Sequence, residues 1–309
     1  MVRAEKSGEE RRRAGGVKRF LADRFPELAY RYRAIRSRYQ QTVHIRRFTN
    51  FLNRKHSEIC VSLLDVGARG GLNEIPIFRP LKRLKNRLIH GIEPDTEEAK
   101  RLRKSGEYDH VFTDGVAWYD GEAVLHVPEG DPASASIRGV DHVVARHWFC
   151  NWGDLYCSQK STEYPICVKK LSSILPKGAT YDFIKTDVEG CDYDVLASAE
   201  PALLEKALCV ICETQHVPIF VGQRTMSQLD IFLRERHFLP YSVQLQHSFI
   251  NYDVVYVRDP RTISDLTTLL KYICLACLLR HRDSLISDVL DIYERRNGKA
   301  LDALRKIIF

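Results

Sequence analysis

"LLDVGARGG", residues 63–71, decides how the rest of the chain is read. An apolar run ends in one acid, Asp65, and then meets Gly67, Gly70 and Gly71 within five residues, with Arg69 among them. Such a run suits a parallel strand buried on both faces, and the glycines permit a tight turn with no side chain above the main chain. If a helix follows, its first N–H groups open into the same hollow. The stretch predicts a ligand lying against bare backbone.

Ile59 to Val66 is the first of five strand-like apolar runs, followed by Arg87 to Ile92, Val111 to Thr113, Tyr181 to Thr186 and Ala207 to Cys212. Thr96 to Ser105 and Cys191 to Lys206 read as helices between them, the second carrying Val195, Leu196, Ala199, Leu203 and Leu204 near helical spacing. Strands alternating with helices imply crossovers, hence an α/β fold with a parallel sheet covered on both faces. Late in the chain "PYSVQ" and "YDVVYV" predict a closing antiparallel hairpin. Asp120-Gly121 inside "VAWYDGEAVLHV" predicts another, local hairpin. After it, residues 128–165 lack a period, as a functional or mobile insertion does. Residues 262–309 read as helices interrupted at Gly298.

With 309 residues, 44% of them apolar and 28% charged, the chain has the composition of a folded globular protein. We divide it into a basic helical N-terminal extension over 1–56, a central domain over 57–259 and a C-terminal helical extension over 260–309. The extension 1–56 holds 16 Lys/Arg against 5 Asp/Glu, or +11, which leaves 31 against 35, or −4, for the remainder of the +7 total. Such an arm can meet an anionic membrane surface or nucleic acid, or simply present a solvated helix face. Leu21, Phe25, Leu28, Tyr32, Ile35 and Tyr39 form one helical stripe in it, suited to docking on the domain or, second, to self-association into an oligomer.

Nine scattered cysteines suggest free thiols in a reducing compartment. The pairs Cys209/Cys212 and Cys274/Cys277 fall in a buried strand and an apolar helix, where small apolar groups are a simpler reading than zinc ligands. No apolar segment follows the basic start, so no secretory signal is expected, and Leu266 to Leu279 is too short to span a bilayer. A cytoplasmic location follows, with peripheral membrane contact through the arm as an extension of it.

The second run ends in "GIEPD", which puts Glu93 at the tip of the strand beside the glycine turn, 22 residues beyond Gly71. A carboxylate there can accept both hydroxyl protons of a ribose. The glycine pattern is not G-x-G-x-x-G, so a diphosphate cofactor is disfavoured and S-adenosylmethionine, which has no phosphate, fits better.

"LLDVGARGG", "HGIEPD", "GVAWYDGEAVLHV" and "YDFIKTDVEGCDYDVLASAEPALLEKALCVICE" together resemble the successive blocks of FkbM-type methyltransferases, over about Ser57 to Arg258. The resemblance implies a seven-stranded, mostly parallel doubly wound sheet that binds S-adenosylmethionine, usually for O-methylation of a hydroxyl. It assigns Asp65, Gly67 and Glu93 to the cofactor and Lys185, Asp187, Glu189 and Gly190 to the central block. Arg69, Gly71, Asp114 and Ala117 are counted with the cofactor-binding set. Where the family usually has Asn and Glu, this chain has Arg69 and Asp192. The Arg69 guanidinium either pairs with the cofactor's methionine carboxylate or turns outward to a surface acid.

Methyl transfer needs the acceptor oxygen in line with the methyl group, and a base for the hydroxyl proton adds about two to four decades in rate. If the fourth strand continues, alternation puts Lys185, Asp187 and Glu189 on one face, where a carboxylate can act as base or the pair can hold a divalent cation. No metal ligand is assigned. "CETQHVP" after the fifth run adds Glu213 and His216, the latter a second candidate base. Ser134, Ser136, His147, Trp148, Phe149 and Trp152 in the insertion can cover an acceptor or merely pack the loop. The expected function is transfer to a hydroxyl of a carbohydrate or other small metabolite. An NAD-linked oxidoreductase and a non-catalytic scaffold that keeps the fold are the alternatives.

Overall fold

The computed structural model describes residues 43–129, 132–148, 161–245, 251–279, 282–298 and 300–308. The helical stripe expected over Val17 to Gln41 lies outside them.

Strand β1 (Val61–Val66) is buried along its whole length, and its side chains divide by parity between two cores. Val61 and Leu63 enter one core, Leu64 and Val66 the other. That division explains the unbroken apolar run: a strand covered on both faces has no solvent side. β1 pairs in parallel with β2 (Arg87–Ile92) on one side and β7 (Phe183–Thr186) on the other. With β3 (His110–Phe112), β8 (Cys209–Gln215), β9 (Phe238–Leu245) and β10 (Asn251–Arg258), the sheet has seven strands in the order β3-β2-β1-β7-β8-β10-β9. Only β10 breaks the parallel set. It runs antiparallel between β8 and β9, as the expected closing hairpin.

Helix α1 (residues 43–55) and the terminal helices α8 (Leu266–Leu278), α9 (Arg282–Asn297) and α10 (Asp302–Ile308) cover one face of the sheet with α2 (Thr96–Ser105). α2 has the boundaries its sequence predicts, because Asp95 caps its start with bonds from the Glu97 and Glu98 amides and Gly106 closes it in a left-handed turn. α8 has nine buried residues out of 13, so its apolarity is spent against the sheet. Among the described residues no helix is long and apolar enough to cross a membrane. His44 Nδ1 donates to the Ile308 carbonyl at 2.6 Å, tying α1 to α10.

The other face carries α5 (Asp192–Ala197), α6 (Pro201–Lys206) and α7 (Met226–Arg234). The single helix expected over Cys191 to Lys206 is in fact two. Glu200 precedes a proline and is extended, and the Ser198 hydroxyl turns back to the Val195 carbonyl while accepting the Leu171 amide at the start of α4 (Leu171–Ile174).

The local hairpin expected at Asp120-Gly121 does not form either. β4 (Gly115–Val116) and β5 (Gly121–Pro128) both pair with β6 (Ser161–Lys169), which lies between them in a separate three-stranded sheet. Asp120 instead accepts from the Lys170 amide and the Ser173 hydroxyl, holding the far end of β6. Among the described residues the insertion is thus a small sheet with an α-helix, α3 (His142–Trp148).

A polar contact joins the terminal helices to the N-terminal rim of the sheet. Lys271 of α8 pairs with Asp182 at 2.9 Å, and Asp182 also accepts from the Ser62 amide and hydroxyl. Removing one member leaves a largely buried charge alone. Lys271→Met is therefore expected to destabilise the protein by about 3 kcal/mol in urea denaturation, with ligand binding at the opposite rim retained.

Candidate active site

The parallel strands end together, and their tips build the site. Past β1 the Gly67 and Ala68 amides both donate to the Ile92 carbonyl at 3.0 Å, which brings the glycine turn against the tip of β2 one residue before Glu93. Gly67 has φ +73°, and a Cβ there would stand 2.0 Å from the Asp187 carbonyl oxygen. Gly71 has φ +68° and faces Glu107 and Leu102. Neither position accepts a side chain, so the cradle is bare because the chain passes too close to itself for anything else.

Asp65 is wholly buried beneath this turn. Its Oδ2 accepts from the Tyr108 hydroxyl at 2.5 Å, and its Oδ1 lies 3.5 Å from Lys185 Nζ. Burial pushes the Asp65 carboxyl above its ordinary value against the pull of Lys185 and Tyr108. Burial and the neighbouring Asp65 charge push the Tyr108 phenol far up, so it remains a donor. Lys185 is the hub: its Nζ donates to the Gly67 carbonyl at 2.7 Å and stands 3.5 Å from both Asp65 and Asp187. Burial opposes its charge, but Asp187, Asp65 and Asp192 outweigh that and hold it protonated.

Glu93 is buried, and its Oε1 accepts from the Asp95 amide at 2.9 Å. Burial raises its carboxyl despite that bond. Arg69 lies across the two loops with its guanidinium 2.7 Å from Asp95, both side chains more than a third exposed. Its partner is therefore a surface acid. Asp114 and Ala117 lie beyond β3, where Asp114 pairs with Lys169 at 2.9 Å and the buried Ala117 donates its amide to the Lys169 carbonyl. The Glu93 amide donates to the Phe112 carbonyl, so the tips of β2 and β3 are joined as well.

Beyond β7 the chain does not continue as a strand. Asp187 and Val188 are irregular, and Glu189 and Gly190 turn with φ +45° and +81°. A left-handed glutamate is strained, by about 1 to 3 kcal/mol, and the turn rather than strand alternation brings it to its neighbours. Oxygens of Asp187, Glu189 and Glu213 lie within 4.8 Å of one another. The spacing could hold a divalent cation. A proton meets the same crowding: burial and the charges of Glu189 and Asp187 raise the Glu213 carboxyl well above its range. Partial burial opposes ionisation of Asp187, but Lys185 and a hydrogen bond from Glu213 lower its carboxyl below the ordinary value. Asn251 Nδ2 donates to Glu213 at 2.6 Å and fixes it.

His216 is exposed past the end of β8, its ring edge-on to Tyr252 at 4.6 Å, outside the carboxylate cluster. The insertion reaches the site through Ser136, whose hydroxyl donates to the Glu189 carbonyl at 2.7 Å. Arg138 fastens the same segment by bonding Asp194 and the Val221 carbonyl, each at 2.7 Å, and by lying 4.4 Å over Trp118. Ser134 and His147 belong to the described part of the insertion. Phe149, Trp152 and the ring of Trp148 lie outside it.

Tyr108 and Asn251 escaped the sequence reading, since neither sits in a motif and both reach the site only when strands become neighbours. Asp192 was noted only as a departure from a pattern. It is 5% exposed, and burial, with Asp187 nearby, pushes its carboxyl up to about 7. The folded state therefore holds a proton that the unfolded state releases near the ordinary carboxylate value. The resulting stabilisation is complete below that value and is lost as pH rises toward 7. Relative to Asp192→Asn, the wild type is expected to lose up to about 1.4 kcal/mol per pH unit across that window in thermal denaturation.

No curated protein matches the sequence. Among solved structures, magnesium protoporphyrin IX methyltransferase from Synechocystis PCC 6803 with bound SAM is 12% identical, with a TM-score of 0.33, covering 72% of this chain and 81% of that one. TrmK from M. capricolum in complex with S-adenosyl-homocysteine is 8% identical, with a TM-score of 0.31, covering 85% and 92%. A precorrin-6y C5,15-methyltransferase from Geobacter metallireducens is 10% identical, with a TM-score of 0.30, covering 71% and 87%. The family described as Methyltransferase FkbM domain matches residues 65–240, more than half of the sequence and the whole span from Asp65 through Glu213. The chain belongs to the FkbM methyltransferase domain family.

Proposed function

We propose that this methyltransferase moves the methyl group of S-adenosylmethionine to a hydroxyl of a carbohydrate or other small metabolite. The observation that carries this reading is the place of Asp187. Its carboxylate is 44% exposed, its amide bonds the Val66 carbonyl, and its own carbonyl closes against Gly67, so a half-open base stands beside the bare turn.

The residues present fit the cofactor. Gly67 and Gly71 hold left-handed turns packed closely against Asp187 and Glu107, and the Glu93 carboxylate lies at the tip of the neighbouring strand. Asp65 supports the turn from below through Tyr108 and Lys185. When bound, S-adenosylmethionine supplies a methyl group on a cationic sulfur, so the protein need not activate the leaving group. What the chain adds is a place for the proton. Asp187, kept ionised by Lys185, accepts it from the acceptor hydroxyl, and the cluster then carries one more proton on its carboxyl groups. Glu213, whose carboxyl burial and the neighbouring acids push well above its range, holds Asp187 by a hydrogen bond, and Asn251 holds Glu213. Lys185 is a positioning residue in this scheme, because it faces inward and bonds the Gly67 carbonyl. The insertion supplies the acceptor side, since Ser136 and Arg138 fasten it over the same strand tips. The basic arm over 1–56 serves contact with an anionic surface.

Incubation with the cofactor and a panel of hydroxylated sugars and small metabolites is expected to release S-adenosylhomocysteine with wild-type protein. Asp187→Asn is expected to bind the cofactor within about threefold of wild type in calorimetry while turnover falls about a hundredfold or more. Transfer at an undiminished rate sinks the assignment of the base. Arg69→Ala is expected to leave cofactor affinity within about threefold, because an exposed pair is worth about 0–1 kcal/mol; a larger loss would show that the guanidinium leaves Asp95 for the ligand.

A further inference from the structure

A second concave region lies at the other end of the sheet. His237, Asp259, Arg261, Ile292, Arg295 and Arg296 line a depression of about 640 Å3. β10 runs antiparallel to β8, and Val257 is opposite Cys209. The depression therefore adjoins the N-terminal end of β8, a strand of seven residues, and stands roughly 20 Å from the tips that carry Glu213 and Asp187. It is separate from the site described above.

Its charge is unbalanced. Asp259, the one acid in the lining, is taken up by Arg261, which binds both of its oxygens through Nε, and by the Arg261 amide. Arg295 and Arg296, in the last turn of α9, are exposed and make no ion pair among the described residues. Arg295 uses only its Nε, on the Asp291 carbonyl, so its terminal nitrogens are free to turn toward a ligand. Beneath them Arg258 is 6% exposed and bonds only carbonyls, those of Ala207, Leu204 and Arg236. Burial lowers it to about 10 against the pull of Glu205. Arg258 and Arg236 are each bonded to or adjacent to lining residues, so this buried charge adds to the field in the depression.

The backbone is also held in an uncommon state there. His237 has φ +63°, fixed by its amide on the Arg234 carbonyl and by the Asp259 amide on its own carbonyl. A left-handed histidine is costly, and such residues concentrate where a side chain must be aimed. Here it places an imidazole on the rim beside the two free guanidinium groups.

We propose that this depression binds the phosphate group of an organic phosphate, with Arg295 and Arg296 as the direct contacts and His237 at the rim. Guanidinium forks match phosphate oxygens in pairs, which makes arginine rather than lysine the fitting residue.

The test uses the full chain, so that the basic arm contributes equally to both proteins compared. Calorimetric titration with pyrophosphate and with inorganic phosphate is run on the wild type and on an Arg295→Gln, Arg296→Gln double variant. Both residues are solvent-exposed, and circular-dichroism melting checks that the variant folds. Binding by the wild type is expected to weaken roughly tenfold for each guanidinium removed. Flotation with phosphatidylcholine vesicles containing phosphatidic acid identifies the source: a loss of flotation in the variant marks a lipid headgroup, and unchanged flotation marks a soluble phosphate. Equal affinity in the two proteins, or no binding of either anion by the wild type, overturns the proposal.

Discussion

The ammonium of Lys185 is the point on which the molecule's functional end depends. It sits inside the sheet, bonded to the Gly67 carbonyl and flanked by Asp65 and Asp187. A buried cation survives only with compensating groups around it, and here each of them is also a site element. The bond to Gly67 fixes the turn that leaves the main chain bare. The pairing with Asp65 answers a carboxylate that has no solvent at all, and the pairing with Asp187 keeps a more exposed carboxylate ionised. One side chain thus ties the glycine turn, the buried acid beneath it and an exposed carboxylate into one unit.

The buried strands were legible because burial on both faces writes itself as continuous apolar residues, as in Val61 to Val66 and Cys209 to Cys212. The glycine turn was legible for a related reason: Gly67 and Gly71 are the residues that the local backbone demands. Less could be read where a choice depends on a distant partner. Asp120-Gly121 has the chemistry of a hairpin, yet β6, forty residues on, takes up both flanking strands. Glu189 reached the site through a left-handed turn that no alternation rule anticipates. Tyr108 and Asn251 carry no signal of their own, because their roles exist only once β3 and β10 have been placed.

The covering of the sheet shows the same dependence. α8 looks like an isolated apolar helix in the sequence, but its Lys271 is directed at Asp182 and its nine buried residues fill a core shared with α1, α9 and α10. The N-terminal rim is thereby closed by helices from both ends of the described chain, while the C-terminal rim is left to loops. Rigid packing at one end and adjustable segments at the other is how a sheet of this kind separates stability from chemistry.

The bond from the Ser136 hydroxyl to the Glu189 carbonyl makes the insertion mechanically continuous with the strained turn. Whatever molecule lodges under the small sheet, displacing Ser136 must either break that bond or drag the peptide that follows Asp187 and Val188. The carboxylates of Asp187, Glu189 and Glu213 are therefore tied to the position of the insertion. One hydroxyl thus links the small sheet mechanically to the three carboxyl groups.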